Sequence, residues 1–278
     1  RPREGHAGGA PRETKGSGHR DLPGAPAASA RRGGRGASPL GPSPRRSLRS
    51  KKWPEVMAES PLESLVRRGA SPGAIAAHLD GASPERRERE VHGLRRRDQA
   101  RLFEIAADAP PLGLAHFVPA AIPDLTPVHH PGRNTIATLR HFQHFEKRFA
   151  RPAEERGRLF GYNESNARFI RPGYFVAYPT RGHPRWEARG GVVVDYHRVP
   201  DASVPAGWPA VVENDRGLQK LVYRDTRDFM RRVSAHVSIG RASREDARGD
   251  RLLDYWFTLV RRDPILRPDP DAQGDEST

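Results

Sequence analysis

The sequence predicts an α+β fold, with short N-terminal helices followed by a mostly antiparallel sheet in the C-terminal half. Three observations carry this expectation. Ser-Pro helix starts recur at Ser60-Pro61, Ser71-Pro72 and Ser83-Pro84. Alternating apolar and polar residues recur from Leu159 to Val260. The first 52 residues hold no Val, Ile, Phe, Tyr or Trp at all.

That opening stretch cannot bury enough apolar surface to offset chain entropy, so residues 1–56 read as a disordered basic leader rich in Gly, Pro and Arg. It lacks the apolar core of a secretory signal. Its Gly and Pro do not suit the amphipathic helix of a transit peptide. The chain begins with Arg1, whereas helix signals first appear at Met57 in "MAESPLESLVRRG". The chain therefore reads as a fragment or as a frame extended upstream of a true start at Met57, against the plainer reading of a natural basic tail. Residues 57–262 read as a single α+β domain, with a helical part at 58–107 and a helix-plus-sheet part at 135–262. Residues 263–278 read as a disordered acidic tail.

The net charge of +14 suggests nucleic acid as a partner, but its distribution weakens that reading. Residues 1–52 carry an excess of ten positive charges, residues 263–278 carry −4, and the 210 residues between carry only +8. Only Lys15, Lys51, Lys52, Lys147 and Lys220 are lysines among 48 basic residues. Such arginine, alanine, glycine and proline excess is what GC-rich codons produce, which points to a bacterial source and discounts the charge. No stretch approaches the ~18 apolar residues of a membrane-spanning helix. With no cysteine in the chain, disulfides, thiolate metal sites and cysteine nucleophiles are excluded. A cytoplasmic location is expected.

Ser60-Pro61-Leu62-Glu63 has the capping-box pattern, and Gly69 suits a left-handed helix end. Ile75 with Leu79, then Val91 with Leu94, give short apolar faces. Asp98 is placed to cap a further helix bearing Leu102 and Phe103. Helices this short need a partner surface. The Pro-rich stretch 108–134 reads as a long surface connection. Ile136, Leu139, Phe142, Phe145 and Phe149 recur every three or four residues and predict a helix over 135–150, with Lys147 and Arg148 off its apolar face. "GYFVAYP" and "GGVVVDYH" predict two strands of a hairpin. Residues 216–232 read as a helix, followed by strands at "RVSAHVSIG" and "LLDYWFTLV". The order is strand, strand, helix, strand, strand. Bulky residues on both strand faces imply a sheet covered by helices and loops, or one curled toward a barrel.

The chain has no phosphate-cradling GxxxxGK[ST], no strand-linked GxGxxG, no HExxH and no GxSxG. Three constellations remain. His129, His130, His141 and His144 cluster as metal ligands do, although on a helix His141 and His144 would form a solvated flank, and no metal is expected there. Asp195 and His197 share one strand face, and His236 shares another with Ser234 and Ser238. If those strands were neighbours, Asp195, His197 and His236 would form an acid–base set and Ser238 a ligand contact, against the plainer reading of a polar, solvent-facing row. Arg133 and Asn134 precede the expected helix, where free amides and a guanidinium fork attract anions. The functional expectation is a domain binding a small anionic ligand, with catalysis left open. The alternative is a nucleic-acid-associated protein using the basic leader and surface arginines.

Overall fold

The computed structural model describes residues 59–136, 143–165, 172–215, 220–247 and 249–264. The leader expected over 1–56 and all but the first two residues of the expected acidic tail lie outside them. Among the described residues no helix is long and apolar enough to cross a membrane.

Four short helices open the fold: α1 (Pro61–Arg67), α2 (Pro72–Asp80), α3 (Pro84–Gly93) and α4 (Arg96–Ile105). Each Ser-Pro start forms its serine cap, although the Glu63 carboxylate pairs with Arg67 instead of completing a capping box at Ser60. The hydroxyls of Ser60, Ser71 and Ser83 accept from the amides of Glu63, Ala74 and Arg86 at 3.1–3.3 Å. Proline occupies the first helical position, where no amide partner is needed. Gly69 ends α1 at φ 71°, a conformation that disfavours any side chain. Asp98 caps α4 from inside its first turn, accepting from the Arg95 amide at 3.2 Å, because the helix begins three residues earlier than an N-cap at Asp98 implies.

The rest of the described chain forms eight antiparallel strands in a closed barrel, each paired with its sequence neighbours, with the last pairing back onto the first. They are β1 (Val128–Asn134), β2 (His144–Ala150), β3 (Leu159–Ser165), β4 (Gly173–Pro179), β5 (Val192–Asp195), β6 (Thr226–Arg232), β7 (Val237–Asp246) and β8 (Gly249–Val260). Two one-turn helices, α5 (Pro184–Glu187) and α6 (Lys220–Tyr223), lie in connections. The mixed α+β class and the curl toward a barrel both hold.

The element order differs from the expectation in three places. The helix expected over 135–150 is strand β2 from His144 onward, and residues 137–142 lie outside the described part. A spacing of four, as between Phe145 and Phe149, satisfies both a 3.6 and a 2.0 period, so it cannot choose between helix and strand. The helix expected over 216–232 is reduced to α6 plus strand β6. The connection 108–134 ends in strand β1 despite Pro131, because the ladder to β8 begins only at Gly132. Nor does this connection only wrap the surface. Its Leu112, Phe117, Val118 and Ile122 enter the barrel core as a plug.

Antiparallel order sorts the connections between two ends. The β1–β2, β3–β4, β5–β6 and β7–β8 links share the upper end. The β2–β3, β4–β5 and β6–β7 links share the lower end, which the plug closes. Arg151 secures that plug by donating to the carbonyls of Val118, Pro119 and Ile122 at 2.8–3.1 Å.

Helices α1–α4 find their partner surface on the outside of β7 and β8. Leu62, Val66, Ile75, Leu79, Val91 and Leu102 pack with Val237, Ile239, Trp256 and Val260. Burying each such aliphatic side chain contributes about 1.5–3 kcal/mol, far more than propensity gives helices of this length.

Inside, aromatic rings fill the space over inward glycines. A Cβ on Gly240 would lie 2.2 Å from Phe257 Cζ, and one on Gly161 would lie 2.4 Å from the Phe175 ring. Gly240→Ala should therefore destabilise the fold by about 1–3 kcal/mol in urea unfolding. Gly73→Ala, which meets nothing within 4 Å in α2, should be neutral or stabilising by up to about 1 kcal/mol. Equal effects at the two positions would contradict the packing described.

Candidate functional site in the barrel interior

Alternation along β2 turns Phe145, Lys147 and Phe149 inward, the opposite of the helical expectation for Lys147. Along β6 it turns Asp228 and Met230 inward. The two charged groups meet across the interior, with Lys147 Nζ 3.1 Å from Asp228 Oδ2. Lys147 is 2% exposed and Asp228 4%. The ammonium also donates to the Tyr196 hydroxyl. The rings of Phe145, Phe175, Tyr196 and Phe257 stand 4.9–5.6 Å from it. A cation stripped of water gains from such ring faces.

Phenols complete the set. Tyr223 stacks on Tyr196 at 5.1 Å and accepts from Asn163 Nδ2 at 2.8 Å. Tyr255 stands close enough to Asp228 for the carboxylate to push its phenol upward, although burial contributes more. Burial, with Asp228 adding to it, also holds Tyr196 well above its usual value and Tyr223 at about 12, so all three remain neutral donors. Burial pushes the Lys147 ammonium below its ordinary value, and Asp228 opposes that push. Among the described residues the interior thus gathers one ammonium, three phenols and an amide as donors around a single carboxylate. Such a group is rich in donors and poor in acceptors.

The inward residues differ in exposure. Phe149, Phe175, Met230 and Leu259 are fully buried, whereas the inward rings of Phe145 and Tyr255 are only partly buried. Phe145 lies one residue from the upper end of β2.

The residues singled out from the sequence fall elsewhere. Asp195 ends β5 on the outer face, 2% exposed, and accepts from the Tyr178 hydroxyl at 2.6 Å and the His197 amide at 3.1 Å. Arg227 Nε stands 3.3 Å from it. The His197 imidazole points instead toward Glu245, at 3.7 Å. His236 sits in the β6–β7 turn, 3.1 Å from Asp263. Asp195 pairs with Arg227 at the start of β6, and His236 lies past Arg232 at its finish, so the barrel holds them at opposite ends. No acid–base set forms from Asp195, His197 and His236. They stay apart because β5 and β7 are separated by β6, where the apolar spacing predicts a helix.

Ser238 faces inward, fully buried, and its hydroxyl has no hydrogen-bond partner among the described residues. Arg133 donates to the His92 carbonyl and to Gln143 Oε1, and Asn134 accepts from the Ile136 amide at 3.1 Å. Both lie in β1, and no helix begins there among the described residues. Of the histidine cluster, His129 pairs with Glu146 at 2.9 Å, His130 faces inward, and His144 packs edge-on against His92. His141 lies outside the described residues. Among the described residues no three His, Asp or Glu side chains could hold a metal ion.

Sequence reasoning offers Tyr196 and Tyr255 as site-lining or core residues and sets Lys147 off a helical apolar face, but it does not single out Asp228 or Tyr223. One available signal was the scarcity of lysine. Where codon usage favours arginine so strongly, a lysine flanked two residues away on each side by Phe145 and Phe149 is a position where the compact ammonium differs in effect from a guanidinium.

Two tests follow. Removing one member of the buried pair, as in Lys147→Met or Asp228→Asn, should cost about 3–5 kcal/mol in urea unfolding, while Lys147→Met combined with Asp228→Leu should cost much less than the sum. Additive losses would exclude a coupled pair. The second concerns acid. Burial holds His92 down to about 4, His130 down to about 3 and His116 well below its ordinary value. Unfolded, each titrates near 6.5, so acid protonates the unfolded chain first. Stability is then full above about pH 6.5 and falls by about 2 kcal/mol per imidazole by pH 5. Unfolding free energies that stay level between pH 7 and pH 5 would contradict this.

Comparison with family models, with curated proteins and with solved structures gives no match to this chain.

Proposed function

We propose that the protein binds a small, anionic or carbonyl-bearing molecule inside the barrel, reached from the upper end. The buried Lys147–Asp228 pair carries this reading. An ion pair withdrawn from water adds little to stability against an apolar pair of similar volume, and such strongly perturbed groups concentrate at functional sites. Eight strands enclose an interior just wide enough for packed side chains or one small ligand. The donors Lys147, Tyr196, Tyr223 and Tyr255 match an acceptor-rich ligand, and the surrounding phenylalanines match an aromatic or hydrocarbon body.

The alternative, nucleic-acid association through the leader and surface arginines, has less support. Arg67, Arg148, Arg158, Arg227 and Arg262 are engaged with carboxylates.

The probe for the first reading is 8-anilinonaphthalene-1-sulfonate, an aromatic anion whose fluorescence rises in apolar surroundings. The protein should bind it saturably at one interior site. Lys147→Met combined with Asp228→Leu should weaken binding at least tenfold with the fold retained by circular dichroism, and Tyr255→Phe should weaken it severalfold. Wild-type affinity in both variants would overturn the proposal.

A further inference from the structure

A cavity of about 610 Å³ lies at the lower end of the barrel, between segment 106–112, the β4–β5 connection and the end of β6. Its volume falls in the usual range for small-ligand sites. Three arginines reach it. Arg231 is held rigidly, donating to the carbonyls of Phe103, Ala188 and Arg189 at 2.7–3.1 Å. Its charge is therefore met by carbonyl dipoles rather than by a bonded carboxylate. Glu104 and Asp108 act on it only through space. Arg181 and the half-buried Arg232 have no side-chain hydrogen bond or ion pair among the described residues. Among the described residues the one carboxylate lining the cavity, Glu187, accepts from the Gly182 amide at 2.6 Å. Ala106, Ala107, Ala109, Pro110 and Pro111 add apolar lining.

Arg181 is exposed and Arg232 partly buried, and the donors of both guanidinium groups are open to an acceptor from solution. Two such groups beside a third fixed cation create a positive concavity that an anion would neutralise, and a planar carboxylate or a phosphate matches the guanidinium fork. We propose that this cavity is a second binding site, taking a small organic anion. The carboxylate or phosphate sits between Arg181 and Arg232, and the apolar body lies on segment 106–112. This site is separate from the barrel interior. The plug closes the lower end, and the Lys147 pair lies above it.

Isothermal titration calorimetry with benzoate and phenyl phosphate tests the proposal, with neutral benzyl alcohol as the comparison. Each anion should bind one to one, and benzyl alcohol at least tenfold more weakly. Arg181→Gln, at an exposed position with no partner to lose, should weaken the anions severalfold. Arg181→Gln combined with Arg232→Gln should weaken them at least tenfold while leaving 8-anilinonaphthalene-1-sulfonate affinity unchanged. Failure of both anions to bind at millimolar concentration, or unchanged affinity in the Arg181→Gln variant, would overturn the site. Joint loss of dye and anion in the double variant would overturn its independence from the interior.

Discussion

An ammonium inside a closed barrel has no water to turn to, so the strands around Lys147 must bring its counter-charge to it. That constraint joins β2 to β6 across the interior at 3.1 Å. It fixes the face that each strand presents, because a shift of one residue would send Lys147 or Asp228 outside and bring its polar neighbours in. The glycines opposite the rings follow from the same crowding. Gly161 and Gly240 leave room for Phe175 and Phe257, two of the rings against which the cation lies.

The two ends of the barrel carry different loads. The lower end is closed by an apolar segment pinned through Arg151, and the helices brace one flank over β7 and β8. The upper end keeps Phe145 and Tyr255 partly exposed. A wall fixed below and along one side suits the proposed entry of a ligand from above, since preorganised donors lose little freedom on binding. The arginine-lined cavity uses the lower end differently. There the recognition elements are guanidinium groups without carboxylate partners on the outer rim, not a neutral pair within the wall.

Parts of this fold were legible in the sequence. The three Ser-Pro starts, the Gly69 stop and the alternation in "GYFVAYP" and "GGVVVDYH" have local causes, and local causes can be read from short windows. The strands at 144–150 and 226–232 were not legible, because their apolar spacings fit a helix equally well and only closure of the barrel decides between them. Pro131 concealed β1 by advertising a loop. The interior site was hidden for a related reason. Lys147 and Asp228 are 81 residues apart in the sequence, and their meeting depends on strands whose identity was itself undecided. The carboxylate that the sequence suggests, Asp195, is a buried acceptor on the outer face, where it serves Tyr178 and the His197 amide.

Nuclear magnetic resonance of the lysine side chains probes the central claim directly, since the chain has only five lysines. Four rings within 5.6 Å of Lys147 Nζ should move its Hε resonances strongly upfield of the other four, and those resonances should disappear in Lys147→Met. Five lysine signals clustered at the shifts of solvated side chains would mean that no lysine lies among those rings, and the account of the interior would fail.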